Sequence, residues 1–339
     1  MKCKMLSIAL VSVLIITGCS GQDKPGKTPD YTEQEAQPRQ DYPDTFPLTG
    51  IGTDKSINQR AVAVMVNNHP KARPQSGLEK ADIVYELLAE GEVTRFLAIF
   101  QSEKPKRVGP VRSARDYYLQ LAKGFNSLYI LHGYSPEARE LLESGSIDHL
   151  NGLKYDGTLF KRESSRKAPH DSYISFENIK KGAEKNSFNM EAPPAPLTFL
   201  TADEVKSLGG ETAAEADVSY HSRLFNVHYK YDSKKQKYKR YTDHELTVDE
   251  ETNNPVLIDN LLIIGARHQV TDSKGRRDID LQAGGEGYLL QKGKINEVTW
   301  EMKNGMITPL INGREAGLIP GKTWINVVPD AASDIHVKP

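Results

Sequence analysis

Both cysteines of this 339-residue chain fall within its first 19 residues, at Cys3 and Cys19. Whatever folds beyond them folds without a thiol. Disulfides, thiolate metal sites and cysteine nucleophiles are therefore excluded from the folded part. A hydrophobic core has to hold it, and the length suffices for two ordinary domains.

The segment that carries the cysteines reads as an export signal. Lys2 and Lys4 form a short basic start, and Met5 to Ile16 form an apolar run too short to span a bilayer comfortably. Thr17, Gly18 and Cys19 follow. This ending resembles the bacterial lipobox, with Ile16 where Leu is commoner. The resemblance implies cleavage after residue 18 and a diacylglyceryl group on the Cys19 thiol. One acyl chain anchors marginally and two retain a protein on a membrane. The expected location is the extracytoplasmic face of the cell membrane, with the membrane itself as one partner through lipidated Cys19. No later apolar run approaches a membrane span. The formal net charge of −1 argues against bulk nucleic-acid binding, so anion recognition has to be local.

Residues 19–58 are polar, with Pro25, Pro29, Pro38, Pro43 and Pro47, and read as a flexible tether. Residues 59–190 alternate strand and helix signals. Arg60–Asn67, Ala81–Leu88, Thr94–Phe100 and Ser127–His132 read as strands. Helices are predicted from Ser113 to Lys123, from Ser135-Pro136-Glu137 to about Glu143, and from Phe176 to Glu184. Pro193, Pro194 and Pro196 mark residues 191–216 as a linker. Residues 217–330 carry short strands separated by turn signals such as Gln291-Lys-Gly-Lys294 and Lys303-Asn-Gly305. Residues 331–339 are left as a tail. The predicted class is α+β: a mixed α/β unit followed by a mainly antiparallel β unit.

The segment Arg107-Val-Gly-Pro-Val-Arg-Ser-Ala-Arg-Asp-Tyr-Tyr118 is the most unusual. Arg112 and Arg115 flank Ser113 at the predicted helix start, where backbone N–H groups favour anions. Arg95 lies in an apolar strand and needs a carboxylate or a ligand. These three arginines are the candidate anion site. The alternative is internal salt bridges to Glu86, Glu90 or Asp116. His69, His132 and His170 follow or end strands, and with Glu86 and Asp116 they form a second candidate polar site at one sheet edge. The alternative there is three separately hydrogen-bonded structural histidines. Their spacing matches no known metal motif, so neither metal nor cofactor is expected. No nucleophile elbow or phosphate loop is present, and Gly284-Gly285-Glu286-Gly287 reads as a turn or bulge.

Several long motifs carry a family resemblance. They are Ala61-Val-Ala-Val-Met-Val-Asn-Asn-His-Pro-Lys-Ala-Arg-Pro-Gln-Ser-Gly77, Ala81-Asp-Ile-Val-Tyr-Glu86, Thr94-Arg-Phe-Leu-Ala98, Val108-Gly-Pro-Val-Arg-Ser-Ala-Arg115 and Gly321-Lys-Thr-Trp-Ile-Asn-Val-Val-Pro329. With them the chain resembles the YerB family of Gram-positive lipoproteins from about residue 58 to 330. The resemblance implies a two-part architecture and an envelope location, and no activity. A fainter similarity, of Arg95, Pro110-Val-Arg112 and Asp116, is to the LytR–CpsA–Psr envelope ligases. Three residues separate Arg112 from Asp116 here, where that pattern joins Arg to Asp. The leading expectation is an envelope lipoprotein, not an enzyme, that binds an anionic wall component or a wall-synthesis protein. The rivals are an enzyme acting on wall polymers or phosphorylated lipid carriers, and an adaptor without a ligand pocket.

Overall fold

A computed structural model describes residues 42–339. The segment read as a signal peptide, Cys19 and the segment read as a tether up to residue 41 lie outside the described residues. In the first half, the strands that matter are β1 (Val62–Asn67), β2 (Ile83–Glu90), β3 (Val93–Phe100), β4 (Leu128–Leu131) and β5 (His149–Asn151). Helices α1 (Asp116–Gly124), α2 (Pro136–Glu143) and α3 (Phe176–Lys185) belong with them. The second half supplies β6 (Glu215–Val218), β7 (Val227–Asp232), β8 (Lys237–Thr242), β9 (Asn260–Gly265), β10 (His268–Val270) and β11 (Arg277–Ile279). It continues with β12 (Gly285–Gln291), β13 (Lys294–Lys303), β14 (Met306–Ile311), β15 (Thr323–Val328) and β16 (Ile335–Lys338).

The α+β class stands, and the two halves are joined by more than a linker. One 12-stranded sheet runs through both, its main path starting at the short edge strand Arg314–Glu315 and continuing β14-β13-β12-β9-β15-β2-β3-β1-β4-β5. The seam is parallel: β15 pairs with β2, Trp324 opposite Val84 and Asn326 opposite Glu86. Alternation along the strands divides the core between the two faces of this sheet. Val62, Val64 and Val66 of β1 enter one cluster, and Ala61, Ala63 and Met65 enter the other. A strand buried on both faces has to be apolar throughout, which is how β1 reads. Helices α1 and α2 cover one face through Tyr117, Leu121, Ala138 and Leu142. Helix α3 and a six-stranded sheet containing β16, β6, β7 and β8 cover the other.

Local chemistry accounts for the helix ends. The Ser135 hydroxyl accepts from the Ala138 N–H, with Pro136 in the first turn, as predicted. The Ser175 hydroxyl caps α3 through the Asn178 N–H at 3.1 Å. The far end of α1 is set by close approach. A Cβ on Gly124 would lie 2.1 Å from the carbonyl oxygen of Gly305, in the tight Asn304–Gly305 turn between β13 and β14.

Four expectations are corrected. The helix predicted from Ser113 starts at Asp116, because the Ser113 hydroxyl is engaged elsewhere, donating to the His132 carbonyl at 3.0 Å. Part of the segment read as tether is packed on the fold: Leu48 and Thr49 are fully buried, and the Gly321 N–H donates to the Thr49 carbonyl at 2.8 Å. The stretch read as linker is docked, with Leu197 and Phe199 packed on the core and the Leu197 N–H donating to the Pro47 carbonyl. The tail forms β16, which pairs antiparallel with β6. Short polar strands of this kind take their conformation from a neighbour's edge, which no local pattern announces. Among the described residues no helix is long and apolar enough to cross a membrane.

Candidate functional site

β1, β4 and β5 run parallel, and their carboxyl ends lie side by side. In open sheets of this kind ligands collect beyond that end. The loop from Arg107 to Arg115 crosses it, fixed by its own backbone. The Asn67 N–H donates to the Pro110 carbonyl, the Arg112 N–H to the Met65 carbonyl, and the His132 N–H to the Arg112 carbonyl, each at 2.9 Å. Arg112 is thus pinned between the ends of β1 and β4. Arg115 caps α1, and the hydroxyl of Tyr117 ties that helix to β2 by donating to the Leu88 carbonyl at 2.7 Å.

The three candidate arginines converge, and a single carboxylate, Glu90, meets them. Arg95 donates to one Glu90 oxygen and Arg115 to the other, while Arg112 Nη2 stands 4.0 Å from the first. The Arg95 side chain is 2% exposed, Arg115 9%, Arg112 21% and Glu90 27%. Arg95 also donates to the Ser113 carbonyl, and Arg115 to the Ala114 carbonyl at 2.8 Å. The Nε of each of the three arginines is buried without a hydrogen-bond partner. Burial, and then the Arg115 charge beside it, lowers Arg95 to about 10. Burial also lowers Arg112. Burial alone would raise Glu90, but Arg95, Arg115 and Arg112 together hold its carboxyl below the usual range. One anion among two buried cations and one half-buried one leaves an excess of two positive charges.

The second candidate set does not assemble as a unit. Glu86 is sealed on the opposite sheet face, in a two-pronged pair with Arg240 whose Nη2 lies 2.9 Å from each oxygen. Cross-strand register gives the reason. Arg95 sits opposite Leu87 and Glu86 opposite Phe96, so Glu86 and Arg95 point to different faces. Asp116 is no partner of the arginines either. The backbone N–H groups of Asp116 and Tyr117 favour its charged form, so it occupies the start of α1 that was expected to attract an external anion. Burial first, then Asp278 and Glu137, raise it.

The histidines separate into a pair and a single. His69 and His170 stack with ring centres 4.4 Å apart and 23° between planes. Asn67 holds the pair: its carbonyl oxygen accepts from the His69 N–H at 3.0 Å, and its amide donates to His170 Nδ1 at 2.8 Å. His69 Nδ1 accepts from the Lys71 N–H at 3.1 Å. Burial and neighbouring cations, Arg112 among them, lower both rings, and with both Nδ1 atoms accepting, the neutral form carries its proton on Nε2. His132 stands with other partners. Its Nε2 receives Arg162 at 3.2 Å, which leaves the proton on Nδ1, 2.8 Å from the Ser172 hydroxyl. Among the described residues no group of three or more His, Cys, Asp or Glu side chains is gathered closely enough to hold a metal ion.

Sequence reasoning named Glu90 only as one partner among several and missed its place at the centre. The signal was available: Glu90 directly precedes Gly91, between the predicted strands Ala81–Leu88 and Thr94–Phe100. Asn67, Arg162 and Ser172 were missed without a signal, since nothing in their spacing links them.

Comparison with known proteins adds the lineage. Residues 48–189 match a family described as "Protein of unknown function (DUF3048) N-terminal domain", and residues 216–325 match its C-terminal domain. The chain is 49% identical over 285 residues to "Putative lipoprotein YerB" of Bacillus subtilis (strain 168), covering 84% of this chain and 86% of that protein. It is also similar to a crystal structure of the YerB protein from Bacillus subtilis. The TM-score is 0.82 at 47% identity, over 87% of this chain and 99% of that one.

Proposed function

We propose, from the premise that this chain belongs to the DUF3048 family of proteins of unknown function, that it is a lipid-anchored envelope protein that binds an anionic wall component. Cys19 carries the lipid on the extracytoplasmic face of the membrane. The observation that carries the binding reading is the threefold excess of arginine over carboxylate at Arg95, Arg112 and Arg115. Buried guanidinium groups with unpartnered Nε atoms are costly unless something completes them. Binding is favoured over catalysis because the carboxylates expected to move protons are committed. Glu86 is bonded to Arg240, and Asp116 faces the backbone N–H groups at the start of its own helix.

One experiment tests both parts. The full chain should fractionate with membranes, and Cys19→Ala should be released from them yet still bind isolated cell walls. Adding Arg112→Ala to that released form should abolish wall binding. Wall binding that survives Arg112→Ala, or that never occurs, would remove the ligand reading. Membrane retention of Cys19→Ala would remove the anchor.

A further inference from the structure

The stoichiometry of the arginine cluster says more about its ligand, and this step rests on the anion-site reading above. A carboxylate offers two oxygens in one plane. At Glu90 those two are taken by Arg95 and Arg115, and the third guanidinium finds no oxygen within hydrogen-bond reach, Arg112 Nη2 being 4.0 Å from the nearest. Three guanidinium groups are thus arranged around an acceptor with one oxygen too few. A tetrahedral oxyanion has at least three oxygens that point in different directions and can serve all three arginines at once.

Charge gives the same answer. With Glu90 in place the cluster retains two uncompensated positive charges, and Arg112 is among the cations that disfavour a further charge on His69 and His170. With Nδ1 accepting in each neutral ring, the Nε2–H groups are uncharged donors, and neither has a hydrogen-bond partner among the described residues. A dianion suits this surrounding better than a second carboxylate does.

Glu90 is also placed to leave. It is the most exposed member of the cluster, at the last position of β2, where the ladder is already irregular. Gly91, in the left-handed region at φ +55°, and Glu92 follow as an exposed turn. By contrast Arg95 lies inside β3, and Arg112 is pinned between strand ends. The turn is in turn fastened to the β10–β11 hairpin. The Gly91 N–H donates to the Gly275 carbonyl at 2.8 Å, and Arg277 Nη2 donates to the Gly91 carbonyl at 2.7 Å.

We infer that the cluster is a phosphoryl-binding site in which the Glu90 carboxylate is a built-in stand-in. A phosphate or pyrophosphate group displaces it and takes one guanidinium per oxygen. The shared chemistry is the phosphoryl dianion, whether free or at the end of a larger wall or lipid molecule.

The test uses the full chain in detergent micelles, titrated calorimetrically at matched ionic strength with inorganic pyrophosphate, inorganic phosphate and malonate. Pyrophosphate and phosphate should bind at least about tenfold more tightly than malonate, as one more charge-assisted contact implies. Glu90→Gln should tighten pyrophosphate binding by about tenfold because the competitor is gone. Should Glu90→Gln fail to fold, Glu90→Asp, one methylene shorter, should tighten binding in the same sense. Malonate binding as well as pyrophosphate overturns the ligand class. Unchanged or weaker binding in the Glu90 variants overturns displacement. If no anion binds at all, the site reading beneath this one has failed instead. Mixed micelles with and without a phosphomonoester lipid then distinguish a lipid-borne group, which is retained by the lipid micelles alone, from a free one.

Discussion

Two arginine–carboxylate clusters sit four residues apart on β2, and they have opposite characters. At Glu86 one carboxylate meets one arginine. The pair is fully buried, at 0% and 1% exposure, and every remaining valence is met. Asn68, Thr94 and Asn326 bond to Glu86, and Thr242 and Thr247 to Arg240. The guanidinium also lies 5.1 Å from the ring centres of both Phe96 and Trp324. At Glu90 one carboxylate meets three arginines, the site is partly open, and three donors have no partner. The first arrangement is complete and joins the six-stranded sheet to the main one. The second is incomplete, which is the mark of a place where something else belongs.

The comparison can be broken by substitution. Arg240→Leu leaves Glu86 charged and sealed, so it should cost about 3–5 kcal/mol of unfolding free energy. Urea denaturation measures this, and added pyrophosphate should not restore it. Replacing Glu86 as well with Leu should recover much of the loss, since no buried charge then remains. A loss below about 1 kcal/mol for Arg240→Leu would mean that the pair is wet, and the contrast would collapse.

A smaller effect sharpens the contrast at the other cluster. The Glu90 carboxyl is held below its usual value, so its contribution is present above the unfolded pKa. It is lost as pH falls through the folded one. Below about pH 4.3, the usual glutamate value, the wild-type chain should therefore lose stability faster than Glu90→Gln. Identical acid limbs in stability measured against pH would show that Glu90 is not engaged as described.

Much of the fold was legible because burial imposes pattern. β3 lies within one residue of the predicted Thr94–Phe100, and the Ser135-Pro136 start of α2 carries its cap in the sequence. What the sequence concealed was pairing between distant segments. Nothing local announces that β15 lies parallel to β2, or that Ile335–Lys338 completes a sheet edge. The candidate site was half legible for the same reason. Arg95, Arg112 and Arg115 do come together, as arginines forced into an apolar strand and a glycine-proline loop suggested. Glu86 was misplaced by ignoring strand parity, and Asp116 by starting α1 at Ser113. His69 and His170 meet only because Asn67 holds both, across a chain separation that no motif spans.

The most direct test of the central claim, that the Glu90 cluster is a ligand site and not a structural ion pair, is the melting temperature of Arg112→Ala. It should be measured with pyrophosphate and with chloride at equal ionic strength. Removing one of three mutually repelling cations should leave the free protein as stable as wild type or more so. The extra stabilisation that pyrophosphate gives the wild type over chloride should disappear. A fall of more than about 4 °C in the free variant, together with no preference for pyrophosphate in the wild type, would contradict the account.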